Sequence, residues 1–227
     1  MKKGKFIVID GIDGSGKATQ LKELAKRLSR AGRMLKTFDF PQYGKESSYF
    51  VSQYLNGKYG KTKEVGPYRA SIFYAMDRFD VGEQIKRWLK EGYVVISNRY
   101  VSANMGHQGS KISNPAAQKK YFRWLDNLEY GLLEIPKPDI TVILHVTPRI
   151  SQELVDKKGN RAYVGGTKRD IHEADLGHLR RAEQTYLRMI KTFPRDFRLV
   201  ECVQNGKIIP VGDIAERVWQ TVKPVLK

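Results

Sequence analysis

A chain of 227 residues, 41% hydrophobic and 11% aromatic, can bury a sizeable core; this excludes an intrinsically disordered protein and bounds the chain at one α/β domain or two small ones. Lys and Arg outnumber Asp and Glu to give a net charge of +17, a field that draws nucleic acid, anionic membrane surfaces or phosphorylated small molecules. The lone Cys202 cannot close an intramolecular disulfide, and no apolar run approaches the roughly 18 residues of a membrane span, so the expectation is a soluble, cytoplasmic protein without a membrane partner.

In chain order, strand-like and helix-like segments alternate. Phe6-Ile7-Val8-Ile9 is a short apolar run of the kind buried in a parallel sheet, and is too short for a signal-peptide core. Leu21, Leu24, Ala25 and Leu28 then recur at helical spacing, with Gly32 as a stop. Met34 to Phe40 is a weaker strand signal. A helix carrying Val81, Ile85, Trp88 and Leu89 precedes a buried strand from Tyr93 to Ser97. Ile140 to Leu144 is the next strand, introduced by Pro136 and Pro138. The periodicity predicts a long helix from about Ala174 to Ile190, with Leu176, Leu179, Ala182, Tyr186 and Ile190 on one face. Phe197 to Val203 reads as a late strand, and Ile214, Val218 and Val222 line a closing helix. This alternation, with no linker, predicts a single α/β domain over residues 1–227: a mostly parallel, five-stranded sheet in three α/β/α layers, binding ligands at the strands' carboxyl ends.

Directly after the first strand stands Gly11-Ile12-Asp13-Gly14-Ser15-Gly16-Lys17-Ala18-Thr19, and a helix follows. Gly11-x4-Gly16-Lys17 in a strand-loop-helix context is the spacing of a P-loop, so the sheet is expected to be of the P-loop NTPase kind. Gly11, Gly14 and Gly16 let backbone N–H groups turn inward around phosphate oxygens, the helix N-terminus adds positive charge, and Lys17 reaches the β and γ phosphates. This makes residues 11–19 the expected ATP-binding loop. One position departs from the pattern: Ala18 replaces the Ser or Thr whose hydroxyl ligates Mg²⁺. Thr19 is no automatic substitute, because one helical step turns a side chain by about 100°.

Further segments follow in a fixed order: Phe40-Pro41-Gln42-Tyr43-Gly44, Tyr74-Ala75-Met76-Asp77-Arg78, Asn98-Arg99-Tyr100 and Pro136-Lys137-Pro138-Asp139. With Asp13 inside the P-loop, they resemble the thymidylate kinases across nearly the whole chain. The resemblance implies that Asp13 sits beside the acceptor's sugar and phosphate, that Phe40 and Tyr43 border the acceptor, and that Arg99 holds its phosphate. Tyr74, or Phe73 if the register is displaced by one, would stack on the pyrimidine. Arg78 would read the base edge or bridge to phosphate, and Asn104 and Gln108 carry amides suited to that edge. For Phe73 and Tyr74 the alternative is helix packing, and for Arg78 a surface ion pair with Asp77 or Asp80. Asn98 stands where the family has a carboxylate on the metal side. With Ala18, that leaves the metal ligands unknown, Asp10, Asp13 or ordered water being candidates to take over. His107 stands where an aromatic residue crowding a 2′-hydroxyl is expected.

Between Asp156 and Arg169 lie Lys157, Lys158, Arg161, Lys168 and Arg169 among glycines Gly159, Gly165 and Gly166. Such a basic, glycine-hinged segment, at about 156–170, resembles a kinase lid that closes over ATP and brings a cation to the transferring phosphoryl group. The P-loop has no arginine, so Arg161 and Arg169 are expected to act catalytically beside Asp13, Lys17 and Arg99. The resemblance implies transfer from ATP, with Mg²⁺, to dTMP, giving dTDP for DNA precursor synthesis, in a homodimer. The alternatives are a nucleotide-binding protein of the same fold with weak activity, or one acting on dUMP or dGMP. Nucleic acid is not an expected partner, because the arginines Arg180 and Arg181 share their helix with an apolar packing stripe.

Overall fold

The computed structural model describes residues 3–156 and 176–226. Strands β1 (Lys5–Asp10), β2 (Leu35–Asp39), β3 (Val94–Asn98), β4 (Ile140–His145) and β5 (Phe197–Glu201) form one parallel sheet in the order β2-β3-β1-β4-β5. β1 lies at the centre, and Phe6, Ile7, Val8 and Ile9 are all 0% exposed. Successive residues point to opposite faces, so this burial requires both faces to be covered, which is why the strand is a continuous apolar run. Each such side chain contributes roughly 1.5–3 kcal/mol on leaving water. The chain leaves β1 toward β2 and leaves β4 toward β5, so the carboxyl ends of β1 and β4 border a crevice where the direction of winding reverses.

Helices α1 (Lys17–Arg30), α2 (Tyr49–Leu55), α3 (Thr62–Asp80), α4 (Gly82–Lys90), α5 (Val101–His107), α6 (Pro115–Asp126), α7 (Pro148–Asp156), α8 (Leu176–Thr192) and α9 (Val211–Val222) surround the sheet. α1 packs on α9 through Leu24 and Leu28 of one helix and Ile214, Val218 and Val222 of the other, all part of the main core. α5 packs on α8, which buries His178, Leu179, Ala182, Thr185, Tyr186 and Met189. α6 opens as its sequence dictates: Pro115 occupies the first turn, and Asn114 Oδ1 accepts the Ala117 N–H at 3.0 Å. Its end runs into a single π-helical stretch, Asn127–Leu132, that carries the buried Glu129.

The expected strands appear within a residue or so of their predicted ends, with one correction. The run Phe197 to Val203 is not one strand. β5 ends at Glu201, and Val203–Gln204 (β6) pairs antiparallel with Lys207–Ile208 (β7). Asn205 and Gly206 turn this hairpin with φ of 50° and 71°, the positive values a two-residue hairpin turn requires. The long helix predicted from Ala174 begins, among the described residues, at Leu176 and extends two residues past Ile190. The segment expected as a lid, with Arg161 and Arg169, lies outside the described residues.

Candidate active site

The P-loop joins β1 to α1, and its glycines are there for contact as well as for φ. Gly11, Gly14 and Gly16 have φ of 141°, 76° and 84°. A Cβ on Gly11 would stand 2.5 Å from the Leu144 carbonyl oxygen, and one on Gly14 would run into that of Ser151. Gly16 caps α1 in the left-handed conformation, so Lys17 opens the helix. Ile12 and Ser15 are buried beneath the loop, whereas Ala18 and Thr19 are exposed on α1. The Lys17 ammonium is folded back on the loop, donating to the Gly11 and Ile12 carbonyls at 3.1 and 2.8 Å. Below it Asp10, fully buried, accepts the Gly11 N–H at 2.8 Å and the Tyr186 hydroxyl at 3.0 Å, which ties the loop's first residue to α8.

A cavity of about 880 Å³ opens from this loop. Asp13, Gly14, Gly16, Lys17 and Ala18 form its loop side. Arg99 faces them, pairing with Asp13 across the cavity floor. Burial would raise the Asp13 carboxyl, but the Arg99 guanidinium outweighs it and, with Lys17 nearby, holds the group well below the usual carboxylate range. Arg99 also donates from Nη1 to His107 Nε2 at 3.0 Å. Because arginine only donates, that nitrogen accepts, and the neutral ring carries its proton on Nδ1, facing His178 Nε2 at 3.5 Å. Burial lowers the His107 pKa well below the ordinary value, as this tautomer requires.

The far end of the cavity takes its walls from α3 and α5. Phe40, Tyr43, Tyr74, Arg78, Asn104 and Gln108 all line it, with His107. Phe73 points elsewhere, into an aromatic cluster with Phe50, Tyr54 and Tyr59, so of the two candidate stacking residues Tyr74 is the one at the cavity. Asn104 donates from Nδ2 to the Ser71 carbonyl at 3.2 Å, which leaves its oxygen as the acceptor. Gln108 receives the Lys111 ammonium on Oε1 at 2.6 Å. Burial pushes that lysine down to about 8.

Arg78 needs a correction. It is no surface residue paired with Asp77 or Asp80: it is 2% exposed and forms a two-pronged ion pair, from Nε at 2.8 Å and from Nη2, with Glu129, which is 0% exposed. Asp77 instead receives the Gln42 N–H. The signal that could have found Glu129 is its place among Leu125, Leu128, Leu132 and Leu133, a setting in which a carboxylate that packs inward needs a partner. On the metal side, Asn98 donates to Asp39 and leaves its own Oδ1 buried without a hydrogen-bond partner. Ala18 offers no hydroxyl, but this orphaned oxygen at the cavity is a donor of the type Mg²⁺ or its water shell takes, so the residues present fit the ion.

A phosphate cradle and an arginine-bearing second pocket in one cavity, at the carboxyl ends of a β2-β3-β1-β4-β5 sheet, define a P-loop enzyme that passes a phosphoryl group between two nucleotides. The family model for thymidylate kinase matches residues 9–207. The thymidylate kinase of Mycobacterium tuberculosis (strain ATCC 25618 / H37Rv) is 30% identical over 182 residues, 80% of this chain and 83% of that protein. The probable thymidylate kinase of Pyrobaculum aerophilum is 29% identical over 219 residues, 96% and 98% of the two chains. In fold, the chain resembles the solved thymidylate kinase of Candida albicans with a TM-score of 0.75 at 22% identity, covering 98% of this chain and 92% of that one. The chain belongs to the thymidylate kinase family and is thus a nucleoside monophosphate kinase, a phosphotransferase.

Proposed function

We propose that the protein, as one kinase domain, transfers the γ-phosphoryl group of ATP to dTMP, releasing ADP and dTDP. The observation that carries this reading is the single cavity into which Lys17, Arg99 and the Tyr74–Arg78–Asn104 wall all open. The acceptor phosphate oxygen is already anionic, so no strong base is needed and catalysis rests on placement and charge neutralisation. Arg99, aimed by Asp13 and His107, places the acceptor phosphate. Lys17 exchanges its two loop carbonyls for phosphate oxygens. At the other end the Asn104 oxygen accepts an N–H and the Arg78 guanidinium donates to a carbonyl, the polarity of a thymine edge, while Tyr74 covers the ring. Mg²⁺, when bound, neutralises charge between the phosphates, with Asn98 among the residues that would hold it. Arg161 and Arg169 supply the lid cation.

The same reading includes a homodimer and a cytoplasmic setting. Tyr68, Ile72, Met76 and Phe79, between 42% and 47% exposed, form an apolar stripe along α3 that a second copy would cover. The buried, unpaired thiol of Cys202 suits a reducing compartment.

A coupled assay of ADP release against several monophosphates tests the activity. The expected result is faster turnover with dTMP than with dGMP, dCMP or AMP. Equal rates with all four, or ATP hydrolysis that requires DNA, would refute it.

A further inference from the structure

The carboxylates expected to take over the metal side of the site are already committed. Asp10 carries the Gly11 N–H and the Tyr186 hydroxyl on one oxygen and the Ser102 hydroxyl on the other. Asp13 is bound through Oδ1 by Arg99, whose guanidinium already neutralises its charge. Asp77, a further carboxylate at the cavity, takes the Gln42 N–H at 2.9 Å and the Ser47 hydroxyl at 2.7 Å.

Asp39 is different. It closes β2 directly opposite Asn98, its partner in the parallel register, and both line the cavity with Lys17 and Ala18. The contact between them runs from Asn98 Nδ2 to Asp39 Oδ1. A carboxylate only accepts, so this bond fixes the amide orientation and turns the Asn98 oxygen away from Asp39. Within this pair two oxygens then have no hydrogen bond to the described residues: Asn98 Oδ1, buried and without a partner, and Asp39 Oδ2. Leaving a buried amide oxygen unsatisfied is unfavourable unless a ligand completes it. Mg²⁺ beside a nucleotide keeps several waters and is held by one or two carboxylates together with the phosphates. An amide oxygen joined to a carboxylate, in a cavity that Ala18 also lines without the customary hydroxyl, suits that ion.

We infer that Asp39 is the metal-side carboxylate of this chain, acting with Asn98 Oδ1 on the Mg²⁺ of a bound nucleotide or on its waters, provided the cavity takes a magnesium nucleotide as proposed above. The negative charge that the family resemblance places at position 98 on β3 sits one strand over, on β2.

Calorimetric titration of the full chain with a non-hydrolysable ATP analogue, in Mg²⁺ and in EDTA, separates the metal's share of binding from the nucleotide's. Wild-type protein is expected to bind the analogue more tightly in Mg²⁺. In Asp39→Asn that gain should shrink by roughly tenfold or more, with affinity in EDTA unchanged or higher. The exchange Asp39→Asn/Asn98→Asp, which moves the carboxylate back to β3, should restore the gain. Asp39 is exposed and outside the apolar core, so the variants should keep the wild-type thermal unfolding midpoint. An undiminished Mg²⁺ gain in Asp39→Asn overturns the assignment, as does a loss of equal size in EDTA. Failure of the wild-type protein to bind the analogue in either condition overturns the kinase reading itself.

Discussion

Arg78 enters the cavity with most of its guanidinium spoken for. Nε and Nη2 lie against Glu129, so Nη1, 3.5 Å from the Tyr100 carbonyl, is the nitrogen left for the acceptor in the reading proposed above. Burial would lower the arginine's pKa, but the Glu129 charge overcomes it and keeps the cation. Removing one member of such a pair strands a buried charge, at about 3–5 kcal/mol, whereas replacing both with apolar groups is often neutral. Glu129→Leu is therefore expected to be strongly destabilised, and Arg78→Met/Glu129→Leu to recover most of that loss in denaturant unfolding. The double variant should still show at least a roughly tenfold higher KM for dTMP, with KM for ATP unmoved. A double variant with wild-type KM would remove Arg78 from acceptor recognition. The sequence displays Arg78 through its aromatic-x-x-Asp-Arg setting, but the partners that aim the site's side chains lie 51 residues away for Arg78 and 59 for Asn98. No local pattern encodes such pairings: the leucines around Glu129 can signal a buried acid but not its partner, and nothing local marks Asp39, whereas motifs mark Asp13, Lys17 and Arg99.

Among the elements, legibility followed the clarity of the period. β1, β3 and β4 are apolar on both faces, so a bare hydrophobic run located them. β2 lies at the sheet's edge with partly exposed residues, and its signal was correspondingly faint. The β6–β7 hairpin was missed although Asn205-Gly206 announces it, because the apolar run before it hid the break at Cys202. α3 was read only at its end, since Gly66, with φ of 73°, and Pro67 interrupt the pattern at its start. The ends of α7 and α8, at Asp156 and Leu176, bracket the basic segment. An arginine that meets the phosphoryl group chiefly in the transition state changes kcat far more than KM. Arg161→Ala and Arg169→Ala should each lower kcat, and together by at least about tenfold, with ATP and dTMP binding little altered. A double variant that turns over at the wild-type rate would end that role.

For the whole molecule, the proposed dimer rests on the α3 stripe. Placing charge within it, as Ile72→Asp with Met76→Asp, should halve the mass measured by light scattering while leaving the circular-dichroism spectrum unchanged. A wild-type mass equal to the single chain would refute the dimer. The sheet order carries a different consequence, for the birth of the protein. β1 is made first, yet Lys5 waits for Val94 and Ile7 for Ile140 before either flank of the strand is hydrogen-bonded. A ribosome thus extrudes a strand with four fully buried apolar side chains, Phe6 to Ile9, well before its neighbours exist. Until β4 emerges the nascent chain carries an unclosed sheet and a phosphate loop with nothing beneath it, which makes synthesis, more than the finished fold, the period of greatest risk from aggregation.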